Sequence, residues 1–555
     1  MRPTLYGSRH AASAGHHLAA AAALTVLEGG GNAVDAGVAA GIALGVLVPD
    51  LVNVAGVAPI MIRLADGRVE TIAGLGRWPA TTPPDVFLRE HGGQIPPGVR
   101  RTVVPAAPDA WITALERHGT IRFEEAVSFA IRWAEEGFAT PAILRQTVEA
   151  HRDEYARWPS NAAIFLPGGE PPRLGSRFVQ TDLARTLRFL ADEASRHTDR
   201  LRGLAAARDA FYRGDIARAI TRFVGEEGGW LSMEDMAAHR APVLPAVRRP
   251  WRGHEVLACG PWCQGPALIE AMTVAEAAGL AEHAHNSADY LHIVAESVKA
   301  ALADRDMHFG DPDFVEVPLE RLLSREHAAA RAREIRMDRA HPSLPGEVEP
   351  GPVAQEAPKL EADTSYVAVV DRWGNAFSAT PSDGSWDSPV VPGLGLIPSN
   401  RGCQSRPDPR HKSGMAPGKR PRLTPNPAMI VTREGGVMPF GTPGGDVQIQ
   451  AMMQVAYNVF AFGMELQEAI EAPRVASYAA PSSFAPFEAH PGLLAAEARI
   501  PQAVRDALAA RGHRMQDWPD TSWLAGCVEA VLSLPGEGLV AAGADVRRPA
   551  GCVAA

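Results

Sequence analysis

The sequence predicts a layered α/β core, and three stretches carry that reading. Two apolar, alanine-rich helical segments open the chain, at 16–28 and from Asn32 to about Leu47, and a strand–turn–strand pattern follows them. Helical periodicity dominates from about 108 to 345. Beyond an interval at 340–363 rich in Pro, Gly and Glu, the chain becomes β-rich. Apolar helices and short strands in one chain bury their apolar faces by stacking in layers.

Each element has a local reason. The helix at 16–28 is stopped by Gly29, Gly30 and Gly31. Asn32 is a fitting N-cap for the next helix, because its side-chain oxygen accepts from otherwise unpaired backbone amides. Pro49 and Asp50 end that helix. Residues 57–64 and 68–72, joined at Asp66-Gly67, read as a hairpin. Helices are expected at 108–117, 123–136, 182–193, 213–226 and 287–309, with a hairpin-like break at 251–258. After the 340–363 linker, residues 364–371 alternate, turn at Trp373-Gly374-Asn375 and resume at 376–380. A second strand pair is expected at 429–432 and 437–441. Gly441-Thr442-Pro443-Gly444-Gly445 then leads into a helix at 448–462.

Composition narrows the function. The 555 residues are 46% hydrophobic and 21% charged, which excludes a disordered or fibrous chain. A net charge of −10 argues against binding nucleic acid or a membrane surface. The N-terminal apolar stretch at 18–27 is far short of the roughly 20 residues that span a bilayer. It also lacks the order of a signal peptide. A soluble, cytoplasmic protein is the expectation. The five cysteines, Cys259, Cys263, Cys403, Cys527 and Cys552, are odd in number and thinly spread, so no disulfide framework is read from them. Cys259 and Cys263 are expected to be ordinary buried thiols.

Several generic motifs fail. Residues 414–420 resemble a phosphate loop, but one residue is missing between the glycines and Arg420 stands where Ser or Thr should follow Lys419. Gly393-Leu394-Gly395 lacks the third glycine of a dinucleotide fingerprint. No Gly-x-Ser-x-Gly elbow occurs. His283, His285 and His292 flank a polar loop and are expected to be solvated rather than metal-bound. No cofactor and no metal are expected.

One constellation carries chemistry. The linker delivers Asp363-Thr364-Ser365-Tyr366 to the start of a strand, and Gly444-Gly445 precedes a helix about eighty residues later. A diglycine can turn two N–H groups toward a developing oxyanion. A Thr hydroxyl is a weak nucleophile until a base adjoins it, and a free α-amine on the same residue can be that base. Its ordinary pKa of roughly 7.7–8.0 leaves it partly neutral at working pH. On these residues alone, a threonine opening an ordinary strand remains the simpler reading.

From about residue 10 to 550 the chain resembles the γ-glutamyltransferase family of self-processing N-terminal-nucleophile hydrolases. The likeness rests on the run from Leu27 through Gly29-Gly30-Gly31-Asn32-Ala33-Val34-Asp35-Ala36, on Gly228-Gly229-Trp230-Leu231-Ser232-Met233-Glu234-Asp235, and on Gly310-Asp311-Pro312-Asp313-Phe314-Val315. Lys419-Arg420-Pro421, Thr442-Pro443-Gly444-Gly445, and Thr364 followed by Val369-Val370-Asp371 complete it. The resemblance implies an α+β fold, a four-layer αββα sandwich. It implies autocleavage between Asp363 and Thr364 into a large subunit, 1–363, and a small one, 364–555, intertwined in one domain. A dimer of such heterodimers is compatible with it. Thr364 would then be nucleophile and base, Ser382 the second hydroxyl, and Gly444 and Gly445 the oxyanion hole.

The departures from the family pattern bear on the substrate. The family's carboxylate-gripping Arg falls on Leu75, with Arg77 nearby. Neutral Gln404 replaces an Asp that binds the α-amine, Leu423-Thr424 replaces a Ser-Ser pair, and Gly384 replaces an Asn. A cationic amine is better held by a carboxylate than by a neutral amide. Arg401 replaces a Gln, and Arg406, Arg410, Arg420 and Arg422 lie in the same stretch. Arg is suited to capturing carboxylates. Residues 378–383 with 399–402 resemble the family's oxamate amidohydrolase branch. The expectation is an amidohydrolase releasing ammonia from a small carboxylate-bearing amide, with Arg401, Gln404, Thr424 and Arg77 as substrate-binding residues. The alternatives are a γ-glutamyl transferase or hydrolase and an unprocessed small-acid-binding protein.

Overall fold

Two seven-stranded sheets face each other in the computed structural model, which describes residues 2–344, 351–354 and 363–555. Most of the predicted linker, 345–350 and 355–362, lies outside the described residues. One sheet runs, in spatial order, through Gly551–Ala554, Ala11–Ala14, Val367–Val370, Ala376–Ala379, Ile60–Arg63, Val69–Ile72 and Val243–Pro245. The other runs Leu5–Gly7, Leu539–Ala544, Glu529–Leu534, Val437–Gly441, Ala428–Val431, His254–Ala258 and Val247–Trp251. All neighbours within both sheets are antiparallel.

Between the sheets lies an apolar layer that includes Met61, Leu75, Leu257, Tyr366, Ala368, Met429 and Val531. Burying each of the larger side chains, Ala368 excepted, contributes about 1.5–3 kcal/mol. Helices His17–Glu28 and Ala33–Leu47 cover the outer face of the first sheet, and Gly265–Ala277 and Gln448–Phe460 cover the second. The result is the α+β, four-layer αββα sandwich that the family resemblance implied.

The predicted helices form, and their caps explain their ends. Asn32 accepts from the amides of Val34 and Asp35, while Asp35 accepts from the Asn32 amide at 2.9 Å, a reciprocal capping box. Asp35 also takes the Thr120 amide at 2.7 Å, so this signature segment is structural. All of Ala33–Leu47 is buried. Small residues permit that closeness, since a Cβ on Gly37 would lie 2.1 Å from the Phe377 ring and one on Gly41 2.4 Å from Trp111. The alternation read at 364–371 is absent from the burial pattern. Val367–Val370 is buried throughout because a sheet covers one face and helices the other. All five cysteines are free, and four are buried, including Cys259 and Cys263. No described helix is long and apolar enough to cross a membrane.

Candidate functional site

Backbone register brings the first two predicted residues together. Val367–Val370 pairs with Ala376–Ala379, with Val367 opposite Ala379. Three residues further out, the same register sets Thr364 (367 − 3) opposite Ser382 (379 + 3). Ser365 donates to the Pro381 carbonyl at 3.0 Å, which continues the pairing. The Thr364 and Ser382 hydroxyls lie 2.6 Å apart, and both residues are fully buried.

The chain is continuous through Asp363-Thr364, so this is the geometry before any cleavage. Thr364 has φ = 83°. That left-handed conformation is strained for a β-branched residue. Its amide donates to the Leu51 carbonyl at 2.8 Å, and its hydroxyl donates to Asp363 Oδ1 at 2.8 Å. Its own carbonyl accepts from Arg548 Nη1 at 3.4 Å.

Arg401 is the charge at the centre. It is fully buried, and its Nη2 donates to Asp363 Oδ2 and to Ser382 Oγ while its Nε pairs with Asp383. Burial works against the guanidinium charge, but Asp363 and Asp383 outweigh it and push its pKa up. Burial also raises Asp383 to about 7, against the pull of Arg401. The guanidinium sits 5.6 Å above the Phe484 ring.

The diglycine lies where strand Val437–Gly441 passes toward helix Gln448–Phe460. Gly444 has φ = 122° and Gly445 φ = 55°, conformations that only glycine adopts readily. Gln264 Nε2 donates to the carbonyls of Gly445 and Thr424, both at 2.9 Å, and fixes the turn from behind. Gln404 Nε2 in turn donates to Thr424 Oγ1 at 2.9 Å. Two predicted substrate residues, Gln404 and Thr424, thus belong to one hydrogen-bonded chain that reaches the diglycine. Gly444 and Gly445 line a cavity of roughly 200 Å³ together with Tyr478, Phe484, Trp523 and Arg548. Two residues of the cavity wall lead toward the hydroxyl pair: Arg548 donates to the Thr364 carbonyl, and Phe484 packs under Arg401.

Arg77 is placed elsewhere. Its guanidinium donates to the Gly418 carbonyl at 2.8 Å and pairs with Asp311 and Asp313, so it ties the 310–315 segment to the segment around Lys419. Its hydrogen bonds and ion pairs go to the 310–315 segment and Gly418, not to Thr364, Ser382 or Arg401. Arg420 also pairs with Asp311, Arg406 with Asp306, and Arg410 with Asp408, while Arg422 donates to the Arg305 carbonyl at 3.1 Å. Of the arginines singled out in the sequence, Arg401 alone contacts Asp363 and Ser382.

Sequence reasoning gave no role to Asp383 and passed over Gln264, Phe484, Trp523 and Arg548. Asp383 adjoins Ser382 and carried a local signal. Arg548 lies 184 residues from Thr364 and carried none. His292 is buried rather than solvated, hydrogen-bonded to His513 at 2.8 Å.

The chain has relatives over most of its length. The chain is 33% identical over 523 residues to the acylase ACY 1 proenzyme of Pseudomonas sp. SE83, covering 92% of this chain and 88% of that one. It is 30% identical over 471 residues to the oxamate amidohydrolase proenzyme of Klebsiella pneumoniae, covering 83% and 84%. Among solved structures, the cephalosporin acylase from Bacillus halodurans superposes with a TM-score of 0.86 at 28% identity, covering 100% of this chain and 97% of that one. The family model described as Gamma-glutamyltranspeptidase matches residues 19–555. With two facing sheets between helical layers and an amide-hydrolase relationship over nearly its whole length, the chain belongs to the gamma-glutamyltranspeptidase family.

Proposed function

We propose that the chain cleaves itself between Asp363 and Thr364, and that the freed Thr364 hydrolyses the amide of a small carboxylate-bearing acid, oxamate-like in class, releasing ammonia. The observation that carries this reading is Arg401, a fully buried guanidinium already holding a carboxylate beside the two hydroxyls. That carboxylate belongs to Asp363, which becomes a free chain end on cleavage. A substrate carboxylate can then take its position.

In turnover the Thr364 amine takes the hydroxyl proton while Oγ attacks the amide carbon. The Gly444 and Gly445 amides hold the oxyanion, a role worth about 2.7–4 kcal/mol per donor. The amine returns the proton to the leaving nitrogen, and water releases the acid. Leu75 is buried between the sheets and cannot grip a γ-glutamyl carboxylate, and neutral Gln404 gives the α-amine no counter-charge.

A second reading rests on the roughly 200 Å³ cavity, which exceeds the need of a two-carbon acid and has aromatic walls. It favours a larger acyl group, as the acylase relative's name suggests.

A denaturing gel and an amide screen test these readings. From the 59.0 kDa chain, fragments of about 39 and 20 kDa are expected, the smaller starting at Thr364. Thr364→Ala should give one band and no activity. A wild type that stays a single active chain sinks the mechanism. Ammonia release from small acid amides supports the first reading, preference for bulky acyl amides supports the second, and robust turnover of a γ-glutamyl anilide overturns both.

A further inference from the structure

Cleavage and turnover cannot use the same base. In turnover the Thr364 α-amine accepts the hydroxyl proton. Before cleavage that nitrogen is a peptide amide with no basic lone pair, and its N–H is committed to the Leu51 carbonyl at 2.8 Å. Maturation therefore requires a different acceptor in contact with Thr364 Oγ.

Among the described residues, two oxygens make that contact. Ser382 Oγ lies 2.6 Å away, but it is a neutral hydroxyl that already accepts from Arg401 Nη2. Asp363 Oδ1 lies 2.8 Å away and accepts the hydroxyl proton directly. Its second oxygen, Oδ2, is held by Arg401, which fixes the carboxylate with Oδ1 aimed at the nucleophile. Arg401, Arg548, Asp383 and Cys403 are the charged and titratable groups facing Asp363, with Asp50 behind Arg548.

We infer that the Asp363 side chain is the proton acceptor for the chain's own maturation, a catalytic residue used once and then discarded. The inference rests on the proposed cleavage at this bond. Thr364 Oγ–H passes its proton to Asp363 Oδ1 as Oγ bonds to the Asp363 carbonyl carbon, whose π electrons move to the carbonyl oxygen. The tetrahedral adduct collapses, the C–N bond breaks, and the carboxyl proton goes to the departing nitrogen, which becomes the Thr364 amine. An ester now joins Asp363 to Thr364 Oγ. Water adds to its carbonyl carbon and the C–Oγ bond breaks. One water proton reprotonates Oγ and the other goes to the new amine, leaving the Asp363 α-carboxylate. The left-handed strain at Thr364 (φ = 83°) is relieved when its peptide link is cut. The same reaction creates the amine that replaces Asp363 as the base.

The test is the cleavage rate of newly synthesised chain, followed on denaturing gels, with near-UV circular dichroism confirming the fold. Asp363→Asn keeps the shape and an acceptor oxygen but takes no proton. Its cleavage should slow by about 10²-fold or more, the usual worth of a positioned base. Asp363→Glu should cleave faster than Asp363→Asn. Wild-type cleavage by Asp363→Asn, or no advantage of Glu over Asn, overturns the inference. If the Asn variant does not fold, Asp363→Glu must outpace Asp363→Ala, and equal rates overturn it. A wild type cut elsewhere, or not at all, instead overturns the proposed cleavage at this bond.

Discussion

Thr364 and Ser382 stand opposite each other across an antiparallel pair, with their hydroxyls 2.6 Å apart and Arg401 donating to the second of them. This makes Ser382 the link between the Thr364 hydroxyl and the buried charge. It orients Thr364 Oγ and passes on the electrostatic influence of the guanidinium. Ser382→Ala should lower kcat by about 10²-fold while changing KM little, as for other preorganised donors. Steady-state kinetics on fully cleaved enzyme checks this, and an unchanged kcat would sink it.

Arg401 holds two carboxylates away from water. Arg401→Met leaves Asp363 and Asp383 without their counter-charge and should destabilise the uncut chain by about 3–5 kcal/mol. Arg401→Lys keeps the charge but loses the planar fork. In cleaved enzyme it should raise KM for acid amides by about tenfold, the equivalent of roughly 1.4 kcal/mol, and leave neutral amides unaffected. Urea titrations and paired substrates separate the two effects.

Gln264 supports the diglycine from outside the cavity, through hydrogen bonds to Gly445 and Thr424. Gln264→Leu leaves the buried Thr424 carbonyl without a donor, at about 1–3 kcal/mol, and takes from the Gly445 carbonyl one of two donors, the other being the Gln448 amide. The loss should appear as a drop in kcat of about tenfold or more, because the Gly444 and Gly445 amides that the proposed mechanism uses as oxyanion donors move off position. Equal losses in kcat and stability with no change in substrate preference are expected.

Asp383 makes stability depend on pH. Its folded pKa of about 7 lies above the ordinary 3.8, so between those values the folded chain binds the extra proton. The contribution is fully present below about pH 4 and is lost as pH rises through 7, with a slope of at most about 1.4 kcal/mol per pH unit. Asp383→Asn should flatten that window in denaturation midpoints measured across it. An identical pH profile in variant and wild type would falsify the assignment.

Gly444 tests the backbone. A Cβ there has room, with Val447 3.6 Å away, yet φ = 122° is closed to alanine without strain. Gly444→Ala should cost about 1–3 kcal/mol and reduce kcat more than it reduces folding stability.

The sequence by itself determined the pieces whose geometry is local. The turn at Trp373-Gly374-Asn375 sets the hairpin register, and that register alone puts Ser382 opposite Thr364. Asn32 and Asp35 set a helix start, and Gly444-Gly445 marks a turn that only glycine tolerates. Short-range backbone geometry fixes all of these. Tertiary structure alone decided what each charge touches. Arg77, Arg401, Arg406, Arg410, Arg420 and Arg422 are alike as letters, yet five are held by acidic groups or carbonyls elsewhere and one meets Asp363 beside Thr364. Arg548 reaches Thr364 from 184 residues away. A long, flexible cation takes its partner from whichever elements the sandwich packs against it, and no local pattern encodes that choice.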